Sequence, residues 1–545
     1  MSVSPPGGQY RGVFREDLAA RTVYAEAAGI GRTVPRAVAV PASARDVEML
    51  VQWAAAERLT LVPRASGSSM PGGAIGSGVI IDLSRLDGIV APDRDARCVR
   101  VGPGAIRNRV DAAARVVGLR FPVDPSSGAF CSVGGMVATN AAGARTLRYG
   151  ATRAWVNAVD CVFSDGSRAL VRRGTRPTAV PPVQRFLADV EPAVRAAAVR
   201  RTPSPLRKNS SGYALAEYAA SVELVDLLVG SEGTLAIVVG VELALTELPG
   251  ATASLLAAYG SLDDAVVGAE VARDAGASAC ELLERTFLDV AARGGALPVG
   301  SDTQAVLLVE LEGRDTTDVT EAARGLGATF QARGATRVVL GLDASEEERL
   351  WELRHAASPI LARLDPSLKS MQFIEDGVVP PDRLGDYVRG VRAALDANGV
   401  QGVIFGHAGD AHVHVNPLID VRRPDWRTCV GAVLADVVDL TARLGGSLAG
   451  EHGDGSLRAP LLERTTPHAD LELARRVKQA FDPDGMLNPG VKVALPGQEP
   501  ITDIKYDPLL PPLPPAAARV LARVERDRAY ADFRLAMLEQ ESRSG

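Results

Sequence analysis

Short apolar runs and amphipathic stretches alternate along most of the chain. Arg36-Ala-Val-Ala-Val-Pro41 predicts a strand. Ser43 follows as a helix N-cap, with Val47, Leu50, Val51 and Ala54 at helical spacing on one face. Leu59–Pro63, Gly78–Asp82 and Cys98–Gly102 predict further strands, and the alternation runs to Glu247-Leu-Pro-Gly250, a break after the strand Ile237–Leu245. A second mixed region carries the strands Ala305–Glu310 and Arg337–Leu340 and the helices Asp315–Ala328 and Ala344–Ala356. A helix over Leu471–Phe481 leads into Asp482-Pro-Asp-Gly485; a proline-rich connector, Pro508–Pro515, precedes a charged helical tail, Ala516–Glu541. The fold class is α+β. The expected divisions are a lead-in at 1–35, a first domain at 36–250, a second at 251–450, a returning segment at 451–495, and a connector with tail at 496–545. The tail has no motif and is expected to pack or swap at the surface of a homo-oligomer.

Composition narrows the function. The 545 residues carry 60 Lys+Arg against 66 Asp+Glu, and no basic block stands out, which argues against a nucleic-acid partner. No apolar run approaches the ~20 residues needed to cross a bilayer, and Met1–Arg21 has no secretory-type apolar segment. The expectation is a cytoplasmic protein, at most peripheral to the inner membrane. Cys98, Cys131, Cys161, Cys280 and Cys429 are scattered without CxxC spacing, unlike a disulfide framework or an iron–sulfur site.

Three segments are rich in small residues. Pro63-Arg-Ala-Ser-Gly-Ser-Ser-Met-Pro-Gly-Gly73 sits between strands, where free backbone N–H groups can converge on an anion; alone it reads equally well as a surface loop. In Pro122–Arg145 nearly every residue from Ser132 to Ala144 is small, where a core helix would carry Leu or Ile, so something bulky and flat is expected against this backbone. Gly230-Ser-Glu-Gly-Thr-Leu235 is the third.

In this order and spacing the segments resemble the FAD-binding domain of the vanillyl-alcohol oxidase/p-cresol methylhydroxylase (PCMH) superfamily. The resemblance implies a pyrophosphate loop at Arg64, Ala65, Ser66, Gly67, Ser68 and Ser69. It implies flavin or adenosine contacts at Pro125, Ser126, Gly134, Gly135, Thr139, Asn140 and Gly143, and closure by Glu232, Gly233 and Ile237. Covalently flavinylated members carry His or Cys near the first loop; this chain does not, which implies non-covalent FAD.

Four of six histidines lie in two motifs. Val403-Ile-Phe-Gly-His407-Ala-Gly-Asp-Ala-His412-Val-His414-Val-Asn416 reads as a hairpin, with His412, His414 and Asn416 on one face and His407 across the turn. Gly450-Glu-His-Gly-Asp-Gly455 adds a carboxylate beside an imidazole. Such a donor set suits zinc or a related divalent ion.

These motifs resemble the C-terminal domain of FAD-linked D-2-hydroxyacid dehydrogenases (D-lactate, D-2-hydroxyglutarate and glycolate dehydrogenases), with an antiparallel sheet in an α/β substrate (cap) domain. Ala411 and His412 depart from the usual glycine and asparagine. The resemblance implies His407, His414 and Glu451 as metal ligands, His452 as catalytic base, Arg354 of Trp351-Glu-Leu-Arg354 as the grip on the substrate carboxylate, and Asn488 near the FAD. His412, Asn416 and Arg458 are additional candidate contacts. The lysine common before the DxxVP aspartate is missing at Asp376-Gly-Val-Val-Pro380, and Lys369 is out of register. The implied reaction oxidises a D-2-hydroxy acid to the 2-keto acid, with hydride to flavin N5 and metal assistance. The nearest resemblance is to the flavin half of fused FAD/iron–sulfur dehydrogenases. Electrons would then pass to a separate acceptor: an iron–sulfur protein, electron-transfer flavoprotein, quinone or cytochrome. Two alternatives stay open: another flavoenzyme of this fold (alkyl-glycerone-phosphate-synthase-like or an alcohol oxidase), and a non-catalytic FAD-binding electron-transfer subunit.

Overall fold

The computed structural model describes residues 6–199, 204–293, 295, 299–355 and 367–543. Ala356, the expected last residue of one helix, lies outside them.

The N-terminal half is built on two small sheets. In the first, β1 (Val13–Arg15), β2 (Ala37–Val40), β3 (Leu61–Arg64) and β4 (Val79–Asp82) are ordered β1-β2-β4-β3, with β2 and β3 both parallel to β4. β2 and β4 are buried throughout, which is why they are uninterrupted apolar runs. The crossover between β2 and β3 is the helix Ala44–Glu57, and Ser43 caps it by accepting the Asp46 N–H. Next come β5 (Cys98–Val101), β6 (Leu119–Arg120), β7 (Val156–Val162), β8 (Arg168–Arg172), β9 (Ile237–Ala244) and β10 (Thr246–Glu247). Of these, β5-β9-β7-β8 form an antiparallel sheet, and β6 pairs with β10.

The second half is one large antiparallel sheet. It contains β11 (Ala251–Tyr259), β12 (Ala279–Glu284), β13 (Ala305–Gly313), β14 (Ala335–Gly341), β15 (Leu368–Ser370), β16 (Gly377–Val378), β17 (Gln401–His407) and β18 (His412–Asp420), ordered β14-β11-β13-β12-β17-β18-β15, with β16 on β18. Side-chain alternation sends Leu255 and Leu307 into one apolar cluster and Leu256 and Leu308 into another. Both faces are therefore covered around β11 and the start of β13, which read as nearly continuous apolar runs.

The chain then returns. Leu473, Val477 and Phe481 of the helix His468–Phe481 pack into the core of the β5–β9 sheet, and Leu487 bridges to Leu61 beside β3. The tail does not extend away. It breaks at Arg528 into helices Pro515–Asp527 and Arg534–Arg543, which fold back on the helix Leu18–Val23 and the first sheet. Within this chain the tail packs intramolecularly, because Val520, Val524, Leu535 and Leu538 form an apolar face that the chain itself covers.

Candidate active site

A cavity of about 700 Å³ runs between the two halves, within the usual range for cofactor pockets. Its wall takes residues from all three glycine-rich segments, from the histidine hairpin and from Glu451 and His452. The small-residue stretch includes a short helix after all, Val133–Thr139, capped by Ser132. It can be helical and still unfilled because its exposed side abuts the cavity: a Cβ on Gly135 would meet only Ser132 Oγ, at 3.3 Å. Ser69 Oγ in the first loop is buried without a hydrogen-bond partner, as a donor awaiting an anion would be. A flat anionic cofactor fits this wall.

Of the candidate FAD contacts, Arg64 to Ser69, Pro125, Ser126, Gly134, Gly135, Thr139, Glu232 and Gly233 line the cavity. Four sit behind its wall. Asn140 is the left-handed C-cap of the short helix (φ 53°) and accepts the Arg153 N–H. Gly143 packs against Asp124 backbone, Ile237 points into the first sheet's core, and Asn488 donates to the carbonyls of Gly73 and Glu232. The Arg64 guanidinium donates to the carbonyls of Tyr24, Glu26 and Ala74, so it shapes the loop from behind.

The imidazole cluster follows from strand register. β17 and β18 place His407 opposite His412 and Phe405 opposite His414. Ala411 takes φ 52° in the turn between them, which is the reason glycine is the easier residue there. His407 Nε2 and His414 Nε2 lie 3.3 Å apart, and Glu451 Oε1 is 3.3 and 3.4 Å from them. A tetrahedral ion with ligands at 2.0–2.1 Å separates its donors by about 3.3 Å. The outer nitrogens are already committed: His407 Nδ1 to Glu281, and His414 Nδ1 to the Glu375 carbonyl at 2.8 Å. Such outer partners fix ring orientation at metal sites. Burial disfavours a charge on His407, but the Glu281 carboxylate outweighs it and holds the ring's pKa up at about 9.

His412 belongs to the cluster but has no such opening. Its Nε2 bonds Asp376 at 2.8 Å, Nδ1 faces Lys208 at 3.5 Å, and burial lowers its pKa to about 3. Arg458 is buried and paired with Glu375 and with Asp376 at 3.0 Å. Asn416 lines the cavity. Arg354 also reaches it, with Nε donating to Glu281 Oε2 at 2.8 Å and its guanidinium 4.6 Å from the Phe405 ring centre. His452 stacks 5.5 Å from His414; burial opposes its charge, but Asp376, Glu375 and Glu451 raise its pKa to about 9.

Sequence reasoning missed Lys208, Glu281 and Glu375. Lys208 is buried, with Nζ 3.1 Å from Glu451 Oε2. Burial works against its charge, but Glu451, Asp410 and Glu281 keep it cationic, and in return Glu451 is held well below the usual carboxylate range. Lys208 thus turns Oε2 away and leaves Oε1 for the imidazoles. Nothing in the polar stretch Lys208-Asn-Ser-Ser211 marks it, whereas a charge among the apolar residues of Ala279–Glu284 is a signal that could have pointed to Glu281.

Residues 35–170 match the family described as FAD binding domain, and residues 248–491 match FAD linked oxidases, C-terminal domain. The chain joins an FAD binding domain to an FAD-linked oxidase C-terminal domain. The first two loops thus lie in the FAD binding domain match and the imidazoles in the oxidase match, while Gly230–Leu235 falls between the two. Among relatives, the glycolate oxidase subunit GlcD of Bacillus subtilis (strain 168) is 28% identical over 88% of this chain and 93% of its own length. A D-lactate dehydrogenase of Archaeoglobus fulgidus is 28% identical over 83% of this chain and 90% of its own. The D-2-hydroxyglutarate dehydrogenase of Escherichia coli (strain K12) is 30% identical over 85% of this chain, which spans only 48% of that longer protein. The solved 4-ethylphenol oxidase from Gulosibacter chungangensis superposes with a TM-score of 0.67 at 15% identity, covering 90% of this chain and 95% of that one. An alkyldihydroxyacetonephosphate synthase superposes at 0.61 and 15%, covering 87% and 83%. These two show the PCMH-type fold. Among the described residues no helix is long and apolar enough to cross a membrane.

Proposed function

We propose that this FAD-linked oxidase converts a D-2-hydroxy acid, of the lactate, glycolate or 2-hydroxyglutarate type, to the 2-keto acid. The observation that carries this reading is the triangle of His407 Nε2, His414 Nε2 and Glu451 Oε1 on the same cavity as the FAD loops. The names of the relatives support the substrate class. FAD, when bound, supplies the two-electron oxidant, and a divalent ion, zinc by donor set and spacing, supplies Lewis acidity toward the 2-hydroxyl.

The chain's own residues do the rest. Arg354 presents a guanidinium suited to the substrate carboxylate. His452 takes the hydroxyl proton as general base. Its raised pKa means that it must first lose its own proton, and Glu451, once committed to a cation, no longer helps to hold that proton in place. Asp376 fixes His452 by accepting its backbone N–H at 2.9 Å. In this reading the electrons pass on to a separate acceptor, as the resemblance implies.

The test is to mix purified, FAD- and metal-loaded protein anaerobically with a panel of D- and L-2-hydroxy acids and follow the flavin band. Bleaching by a D-acid, and not by its L-isomer, is expected. A loaded protein that stays yellow across the panel would refute the assignment.

A further inference from the structure

The helical tail lies beyond the family-matched residues, yet Arg528 and Tyr530 line the same cavity as the FAD loops. We propose that this tail is part of the FAD site, with Arg528 binding the cofactor's phosphates beside the Arg64–Ser69 loop.

The tail is held in place at the cavity wall. The Tyr530 ring lies 5.3 Å from Phe130, another cavity residue, and the Arg534 guanidinium sits 5.5 Å from Tyr530 on its way into the interior. Arg534 and Tyr530 are close enough to Arg64 to act on its charge. Arg528 ends the helix Pro515–Asp527 in the left-handed conformation, φ 55°. Glycine occupies that position without strain, but Arg58 ends its own helix in the same way, so the backbone alone gives no reason for an arginine here.

Charge supplies the reason. The other arginines on the cavity are engaged within the protein: Arg64 with three carbonyls, Arg145 with Asp124 and Glu310, and Arg354 with Glu281. The Arg528 guanidinium has no ion-pair or side-chain hydrogen-bond partner among the described residues. A pyrophosphate seated at the unpartnered Ser69 Oγ would supply one.

Arg528→Gly separates a ligand role from a structural one, because glycine relieves the backbone while removing the charge. Apo-protein is prepared, and FAD and riboflavin are titrated by flavin fluorescence, with melting of the apo-protein as a fold control. The expected result is an FAD dissociation constant raised about 10- to 100-fold, as for one lost charge-assisted contact. Riboflavin, which has no phosphate, should bind unchanged, and apo-protein melting should be unchanged or higher. Arg528→Lys should recover part of the FAD affinity. An unchanged FAD constant overturns the proposal, and so does an equal loss for riboflavin. If Arg528→Gly does not fold, Arg528→Gln is read by the same criteria. Because binding alone is read, a failed substrate assignment would leave this result untouched.

Discussion

At the scale of single residues, the site depends on groups outside the His407–His414–Glu451 triangle. Lys208 and Glu281 set the direction of Glu451 and His407 from outside the ligand triangle. Lys208→Met should therefore weaken metal binding about 10- to 100-fold, as loss of an outer partner does. Elemental analysis after dialysis against a weak chelator would show it, while flavin content stays the same. His407→Ala combined with His414→Ala should abolish metal retention outright; a double variant that keeps both metal and rate would remove the metal role. These partners were hard to read from the chain. The histidines were legible because three fall within eight residues. Lys208 was not, because its meaning comes from a fold that brings it 243 positions along the chain to Glu451.

At the scale of elements, much was legible where one face is apolar. Ser43 and the helix after it came directly from spacing, and the capping bond is present. Ser43→Ala should cost about 1 kcal/mol of stability, measurable by denaturant unfolding. The histidine hairpin was also legible, from two β-like runs around a tight turn. Less legible was the break in the tail, which has neither glycine nor proline at Arg528. The short helix Val133–Thr139 was obscured because its small side chains answer to a cavity and not to a core. One turn couples the halves: Glu232 accepts the N–H groups of Asp454 and Gly455 at 2.7 and 3.0 Å. Gly453 there has φ 83°, and a Cβ on it would lie 2.5 Å from Glu232 Oε1. Gly453→Ala should displace His452 and lower kcat in stopped-flow reduction while leaving FAD bound.

At the scale of the molecule, charge and connectivity matter most. On the β5–β9 sheet, Arg172's hydrogen bond, against the cost of burial and with help from Arg100, holds the Glu242 carboxyl down at about 2, against 4.5 for a free carboxyl. A depressed carboxylate adds stability that is present above its unfolded value and is lost as pH falls through the window between about 4.5 and 2. Glu242→Gln should flatten the acid limb of a melting-temperature-against-pH curve there, and an unchanged limb would contradict this.

The bridge between Leu61 and Leu487 has a consequence for biogenesis. A piece of the first sheet's surroundings is not made until some four hundred residues after the strand it pairs with, and the helices Pro515–Asp527 and Arg534–Arg543 come later still. Early portions of the nascent chain must wait, incompletely packed, for their last neighbours, which slows folding and exposes apolar surface in the interval. Cofactor capture thereby waits for the chain to pass Leu487, and cells short of riboflavin should accumulate this polypeptide as an incompletely packed, chaperone-bound species.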